Sequence, residues 1–256
     1  MSDQTSSKSL ALFVTNNELI YSTRSIVEEE SFFSEAVKIS LPDLNKQRDY
    51  QDIEDIIKSN LPLLLYYNKI TICYLSTPVA IIPKAYTTDN LSQFLQFSET
   101  KKLTAIKYPL DTIDANVVFN AYSPLDKVFK NLPNFNNSKT IHTANLLIDR
   151  FELNSEKNQI FVQLINQKLE LCIYKQKEFT LYNIFEITAD EDIIYYILNL
   201  IEQLKLNPSK TILSIEGGIE EDHLVIEQLS KYINEVETNT TANGLNYLFY
   251  KIFECE

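Results

Sequence analysis

The chain has 256 residues, of which 45% are hydrophobic and 11% aromatic, and its formal net charge is −12. This composition is typical of a globular protein and excludes a disordered one. Because so acidic a chain repels phosphate groups, we expect neither general nucleic-acid binding nor attachment to an anionic membrane. No apolar run approaches the ~18 residues of a membrane span, and the first residues lack a signal-peptide pattern. We therefore expect a soluble, cytoplasmic protein.

The first half is predicted to open with a hairpin around Asn16 and Asn17, followed by a third strand and an amphipathic helix that carries Tyr50 and Ile53 inward. The longest run of a single acidic residue type, the three glutamates at 28–30, is predicted to be a solvated loop after the hairpin. The predicted elements, in chain order, are strands at 10–14, 19–22 and 32–40, a helix at 49–59, strands at 69–74 and 79–82, a helix at 91–97, strands at 103–108 and 116–120, a helix at 124–131, and a strand and helix within 140–151.

The second half is predicted to begin with an antiparallel meander, because short polar turns separate three successive β-type runs. Asn166 and Gln167 mark the first of these turns, and Gln176 and Lys177 mark the second. The predicted elements, in chain order, are strands at 159–164, 169–174 and 179–187, a helix that starts at 190 and ends before 207, a strand at 211–215, a helix at 220–232 and a strand at 247–253.

Three meandering strands followed by alternating helices and strands, used twice, are the plan of a duplicated ribonuclease H-like fold. The expected fold class is therefore α/β with two ribonuclease H-like lobes in an actin-like arrangement. We predict a first lobe at residues 1–153, which includes an insertion, and a second lobe at residues 154–256.

Three segments, 9–14 (SLALFV), 79–84 (VAIIPK) and 138–142 (SKTIH), resemble a family of bacterial proteins that is a domain of unknown function with an actin-like ATPase fold. The resemblance covers essentially the whole chain. It implies the two-lobed fold, but it brings no established reaction, because one fold serves many functions.

The resemblance also implies where a nucleotide would bind. In active actin-like proteins each lobe contributes a hairpin turn with an Asp-x-Gly pattern, whose glycine admits the phosphates and whose aspartate holds magnesium through water. The two hairpins here, 13–19 (FVTNNEL) and 162–168 (VQLINQK), contain neither Asp nor Gly. Only the third element, a Gly-Gly turn that packs on the adenosine, has a counterpart, at Gly217 and Gly218. The nucleotide site is therefore predicted to be degenerate.

Glycine is scarce in this sequence, and two of the three glycines in the chain are Gly217 and Gly218. A P-loop or a dinucleotide fingerprint is therefore not expected, because both depend on glycine-rich loops. The Gly217-Gly218 pair has two interpretations. It is either a strand-to-helix turn that requires positive φ, or a ligand-binding turn.

Other chemistry receives little support from the sequence. A ribonuclease H-type nuclease needs a carboxylate on the first strand of its lobe, and Glu170, on a second strand, has no evident companion. His142 is predicted to be packed inside the protein, and His223 to lie exposed at the start of a helix. Cys73 and Cys172 are predicted to be buried small hydrophobes, since no pair of cysteines has metal-ligand spacing. We assign no catalytic residue and no metal ligand.

The aromatic residues suggest a role in protein binding. Tyr66-Tyr67 and Tyr195-Tyr196 place tyrosines at consecutive positions, so that one member of each pair either faces outward or belongs to a wide core. Exposed tyrosine is favoured at protein–protein interfaces.

Our leading hypothesis is a catalytically silent cytoplasmic protein, without a cofactor, that binds or scaffolds protein partners or a second copy of itself through its interlobe cleft or an exposed sheet edge. The competing hypothesis is a divergent Mg-ATP-binding protein of the actin, Hsp70 and sugar-kinase superfamily. It predicts nucleotide contacts near Gly217 and Gly218, with neutral donors at Asn16, Asn17, Asn166 and Gln167. A small-molecule enzyme of unknown class is a third possibility, for which no residue can be named.

Overall fold

The structure is a computed structural model, and it describes residues 7–44, 50–75, 77–95, 103–151, 155–165, 167–217, 223–239 and 244–254. These residues divide into two compact units. The first unit is drawn from Met1–Pro109, Asp114–Thr143 and Ile252–Glu256, and the second from Leu110–Ile113 and Ala144–Lys251. Within the described part of the chain, no helix is long and apolar enough to cross a bilayer.

The first unit contains two sheets and three α-helices among its described residues. Its elements, in chain order, are β1 (Ser7–Val14), β2 (Glu18–Val27), β3 (Glu30–Phe33), β4 (Val37–Ser40), α1 (Gln51–Ser59), α2 (Leu61–Leu64), β5 (Lys69–Tyr74), β6 (Val79–Pro83), β7 (Leu103–Pro109), β8 (Ala115–Tyr122), α3 (Ser123–Asn131) and β9 (Lys139–His142).

The larger sheet of this unit has the strand order β3-β2-β1-β5-β9, with β4 also paired to β2. β1 runs antiparallel to β2 and parallel to β5. The five residues Leu10 to Val14 of β1 are fully buried, which is the pattern of a central strand covered on both faces. The smaller sheet is an antiparallel set in the order β6-β8-β7.

Several predictions for the first unit need correction. The predicted strand at 32–40 is two short strands, β3 and β4, and the acidic run forms part of a hairpin, since Glu28 and Glu29 make the turn between β2 and β3 while Glu30 begins β3. The predicted helix at 91–97 is a 3₁₀ turn at Leu91–Leu95, and residues 96 and 97 lie outside the described residues. Tyr50 precedes α1 and is exposed, whereas Ile53 is buried as predicted.

A short helix, α4 (Thr143–Ile148), leads into the second unit. The other elements, in chain order, are β10 (Asn158–Ile165), β11 (Lys168–Lys175), β12 (Glu178–Glu186), α5 (Asp190–Gln203), β13 (Thr211–Gly217), α6 (Leu224–Ser230), β14 (Glu235–Asn239) and α7 (Gly244–Glu254). The strand order is β12-β11-β10-β13-β14, with the predicted antiparallel meander followed by two parallel pairings.

The hydrophobic core of the second unit lies on one face of this sheet. Alternate residues such as Ile160 and Val162 of β10 pack with Ile193 and Ile197 of α5, which are one helical turn apart, and with Leu229 of α6. Each such aliphatic side chain contributes about 1.5–3 kcal/mol when it is fully buried. The residues of β10 that alternate with these point to the opposite face of the sheet.

The end of the chain departs from the sequence prediction. Residues 247–253 were predicted to form a strand, but this prediction is wrong, because they lie in α7. Tyr247, Leu248 and Ile252 are buried while Tyr250 is half exposed, which is the three-to-four-residue period of a helix. The last strand is instead β14 at the edge of the sheet, with a single apolar side chain at Val236.

Candidate functional site

The first hairpin turn, between β1 and β2, is closed by its own side chains. Thr15 Oγ1 accepts hydrogen bonds from the backbone N–H of Glu18 at 3.0 Å and of Asn17 at 3.4 Å. The Thr15 N–H donates to the Glu18 carbonyl at 3.0 Å. The backbone amides that a phosphate-binding turn would direct at a ligand are here directed at a threonine hydroxyl.

The carbonyl side of the same turn is occupied as well. The Leu41 N–H donates to the Asn17 carbonyl and the Leu44 N–H to the Asn16 carbonyl, both at 2.7 Å. The segment that follows β4 is thereby fastened to the turn, and Leu44 is fully buried beneath it. The turn is therefore fixed on both its donor and its acceptor sides.

The second hairpin turn, between β10 and β11, is as short as a hairpin allows. Ile165 pairs with Lys168, so the loop has two residues, of which Asn166 lies outside the described residues. Gln167 adopts a φ of +61°, and its carbonyl accepts from the Ile187 N–H at 2.9 Å. A two-residue loop of this kind joins two strands tightly and does not form an extended loop around an anion.

Gly217 ends β13 beside the second turn, at the same end of the sheet. Its φ is +104°, and a Cβ placed on it would lie 2.2 Å from the carbonyl oxygen of Leu164, its partner on β10. Glycine is therefore required both by the backbone conformation and by the close approach of the neighbouring strand. Gly218 lies outside the described residues.

A polar layer covers the face of the second sheet that is opposite the hydrophobic core. Gln163 on the central strand β10 pairs with Glu170 on β11 and with Glu216 on β13, so the three side chains share one face. All three are buried, with at most 1% of each exposed. Sequence reasoning left Glu170 without companions, although polar residues at the alternating positions of otherwise apolar strands are a signal that could have found them.

Ion pairing and hydrogen bonding stabilise this polar layer. Arg150, after α4, places its Nη2 atom 2.7 Å from Glu216 Oε1 and its guanidinium 5.0 Å from the centre of the Phe161 ring. Burial raises the pKa of Glu216, and the Arg150 charge, a hydrogen bond with Tyr247 and the Lys251 charge oppose that rise. The Tyr182 hydroxyl donates to Glu170 Oε2 at 3.0 Å.

The central strand β10 separates the two carboxylates of this layer. The strands of Glu170 and Glu216 are separated by β10, so their backbones lie roughly 10 Å apart. In the described residues, no group of three or more His, Cys, Asp or Glu side chains is placed to hold a metal ion. Each carboxylate of the polar layer has a partner of its own, Tyr182 for Glu170 and Arg150 for Glu216.

The remaining sequence candidates stand apart from one another. His142 is fully buried against Phe119, and burial lowers its pKa to about 3, so it is a packed residue as predicted. His223 precedes α6, and its Nδ1 atom accepts from the Val225 N–H at 3.3 Å. Cys73 and Cys172 are buried, as predicted.

The tyrosine pairs divide between surface and core. Tyr66 is 78% exposed beside Tyr67, which is 6% exposed, and Tyr195 is 62% exposed. Of the two interpretations, the exposures favour the outward-facing one over the wide core, since one member of each pair is exposed.

The fold defines the class of the protein. A structure from Bacteroides thetaiotaomicron VPI-5482, a protein with actin-like ATPase fold and unknown function, is similar with a TM-score of 0.78 and 15% identity over 100% of both chains. The cytoplasmic domain of EpsL, an inner membrane component of the type II secretion system of Vibrio cholerae, is similar with a TM-score of 0.52 and 7% identity, over 98% of this chain and 96% of that one. At such identities the likeness shows the fold alone. The chain has the actin-like ATPase fold, which confirms the predicted fold class.

The sequence places the chain more narrowly. A family model described as Protein of unknown function (DUF3822) matches residues 1–236, and the chain belongs to that family. The predicted membership in a family of unknown function with an actin-like fold is therefore confirmed. Among curated proteins, no sequence matches.

Proposed function

We propose that this protein is a catalytically silent member of the actin-like class that binds or scaffolds a protein partner in the cytoplasm. One observation carries the proposal, namely that the amides of the first turn donate to Thr15 Oγ1. Phosphate binding at this turn would have to break those bonds, while the Asn16 and Asn17 carbonyls hold the turn to Leu44 and Leu41. The division into lobes at residues 1–153 and 154–256 belongs to the same proposal.

The second turn and the glycine turn support the same interpretation. Gln167 belongs to a tight two-residue hairpin loop, and the close approach of Leu164 explains why position 217 is a glycine. EpsL, whose cytoplasmic domain has a similar fold, is a component of a secretion system. That example supports a role within an assembly for the present chain.

A divergent ATP-binding protein is the second candidate. It is favoured by the glycine turn, in which Gly217 ends a buried parallel strand with a positive φ. On this hypothesis Asn16, Asn17 and Gln167 would contact the nucleotide through neutral donors. The two candidates differ in whether Mg-ATP binds at all.

A titration with Mg-ATP distinguishes them. A ligand present at about 100 times its Kd stabilises the folded state by about 2.7 kcal/mol. At roughly 2–4 °C per kcal/mol, a chain of this size would gain several degrees in Tm. We expect no saturable shift at millimolar Mg-ATP, and isothermal calorimetry should show no binding heat.

The matched control for this titration is Gln167→Gly. Glycine accepts the φ of +61° at this position, so the hairpin is retained while the side-chain donor is lost. A saturable shift in the wild-type protein that is reduced in this variant would establish the ATP-binding candidate and refute ours. Gly217 is not a suitable control, since any side chain there contacts Leu164 and disturbs the fold.

A further inference from the structure

β3, the outermost strand of the larger sheet in the first unit, has the geometry that a partner strand requires. Ser34 N–H donates to the Thr23 carbonyl at 2.9 Å, and Val27 pairs with Glu30 at the hairpin turn. Hydrogen-bonded and non-hydrogen-bonded pairs alternate along an antiparallel ladder. By this alternation, Ser31 directs its backbone N–H and C=O to the outer edge of the sheet.

The apolar side chains around this edge are exposed. Phe32 is 55% exposed and Phe33 48% exposed, and neighbouring Val27 and Val37 are 41% and 40% exposed. Consecutive strand residues point to opposite faces, so each face of the edge carries one aromatic ring. Single exposed apolar residues are ordinary, but a cluster of them on an edge strand is a site for association.

The edge is held in place from within its own unit. The Phe33 ring lies 5.8 Å from the Phe253 ring, and the Arg24 guanidinium lies 5.4 Å from the centre of the same Phe253 ring. Arg24 Nη1 also donates to the Phe253 carbonyl. A docking strand that is already ordered loses less conformational entropy when a partner binds.

The charges at both ends of the strand identify the kind of partner. Glu28, Glu29 and Glu30 precede the two phenylalanines, Glu35 follows them, and all four are exposed. A second copy paired through this edge, in either direction, would place glutamates opposite glutamates, which is unfavourable. A basic segment would instead meet opposite charges at both ends.

We propose that β3 is the docking strand for an extended segment of a partner protein in which Lys or Arg stands at both ends of an apolar stretch. The partner segment adds as a strand beside β3, where main-chain hydrogen bonds provide affinity and the side chains provide specificity. This inference rests on the proposed binding function and names the surface that performs it.

The test uses a short synthetic Lys-Val peptide, in which a lysine stands at each end of a run of valines so that both glutamate ends of the strand meet a lysine, followed by fluorescence anisotropy. A Glu-Val peptide, with glutamate in place of each lysine, controls for charge, and a Lys-Val peptide with N-methyl groups on alternate amides controls for strand pairing. We expect binding of the first peptide only. Hydrogen exchange should slow at the Ser31 amide in the complex, because that N–H points to the added strand.

Variants of the chain locate the site. We expect Phe32→Ser to weaken binding about tenfold, the loss typical of an aromatic side chain at the centre of an interface. Tyr66→Ser is the matched control, because Tyr66 is a 78% exposed aromatic residue elsewhere in the same unit. The double variant Glu30→Gln, Glu35→Gln retains the strand, and it should lower both the affinity and its dependence on salt.

The proposal is overturned if the Lys-Val peptide fails to bind, if the Glu-Val or N-methylated peptide binds equally well, or if Tyr66→Ser weakens binding as much as Phe32→Ser. These outcomes concern the surface alone. Saturable binding of Mg-ATP would establish the ATP-binding candidate and leave the peptide result unchanged, so the two failures are distinguishable.

Discussion

The ion pair between Arg150 and Glu216 gives the sharpest test of the polar layer. Arg150→Met removes the guanidinium but keeps an unbranched apolar stem over Phe161, so the change is mainly one of charge. Glu216 is 1% exposed, and its Oε1 atom lies 2.7 Å from Arg150. Breaking a buried pair by removing one partner typically costs about 3–5 kcal/mol. We expect a loss of unfolding free energy in that range at pH 7.

The same variant should respond to pH in a defined direction. Burial raises the pKa of Glu216 and Arg150 lowers it, so the pKa rises further in Arg150→Met. A carboxyl group with a raised pKa in the folded state binds its proton more readily there than in the unfolded chain. Stability therefore falls as pH rises above the unfolded pKa, until the folded group has also ionised. The penalty in Arg150→Met should be smaller at pH 5 than at pH 7.

Urea unfolding followed by circular dichroism at the two pH values measures both effects. The double variant Arg150→Met, Glu216→Gln is the control, because it removes the buried charge as well as its partner. We expect it to be more stable than Arg150→Met at pH 7 and to lose the difference between the two pH values. A penalty below about 1 kcal/mol, or one that is equal at both pH values, would show that Arg150 and Glu216 do not form a buried charge pair.

Three further predictions concern Gly217, Thr15 and Asp192. Gly217→Ala should destabilise the protein by about 3–5 kcal/mol in urea unfolding, from the positive φ and the Leu164 contact together, and a loss below about 1 kcal/mol would contradict the required close approach. Thr15→Val should cost about 1–2 kcal/mol by leaving the turn amides without their acceptor, whereas Thr15→Ser should restore most of that stability. The Asp192 carboxylate, in the first turn of α5, accepts hydrogen bonds from Thr188 and from the Ala189 N–H, and these bonds lower its pKa. The stability that this N-terminal cap of α5 contributes should therefore be lost as pH falls through that lowered pKa. Asp192→Asn should remove that part of the acid dependence, and an unchanged pH profile would count against the cap.

This chain keeps an actin-like architecture without the phosphate motifs, and the contacts of its turns account for the residues that stand there instead. Where an active member of the class has an aspartate and a glycine in its first turn, this chain has Thr15, which closes the turn from within. Gly217 is retained, and the packing of β13 against β10 is sufficient to account for it. The glycine turn is therefore weak evidence for a nucleotide, and the first hairpin is the more informative position.

Local patterns determined much of the secondary structure. The meander of β10 to β12 follows from three β-type runs and their two-residue turns, and α5 follows from apolar residues at helical spacing after an acidic first turn. These features depend on near neighbours, so the sequence alone predicts them. The absence of Asp and Gly from both hairpins is likewise visible in the sequence, and so is the family resemblance.

Tertiary structure decided the rest. Residues 247–253 have β-prone side chains, but packing selects the helix α7, in which Asn246, Tyr250 and Glu254 form one exposed stripe and the buried residues occupy the rest of the helix. The partnership of Gln163, Glu170 and Glu216 depends on strand register, and the pairing of Arg150 with Glu216 joins residues that are distant in sequence. The exposure of Phe32 and Phe33 depends on the position of β3 at the end of the sheet. A sequence records which side chains are present, but strand order and register determine which of them meet and which remain at the surface.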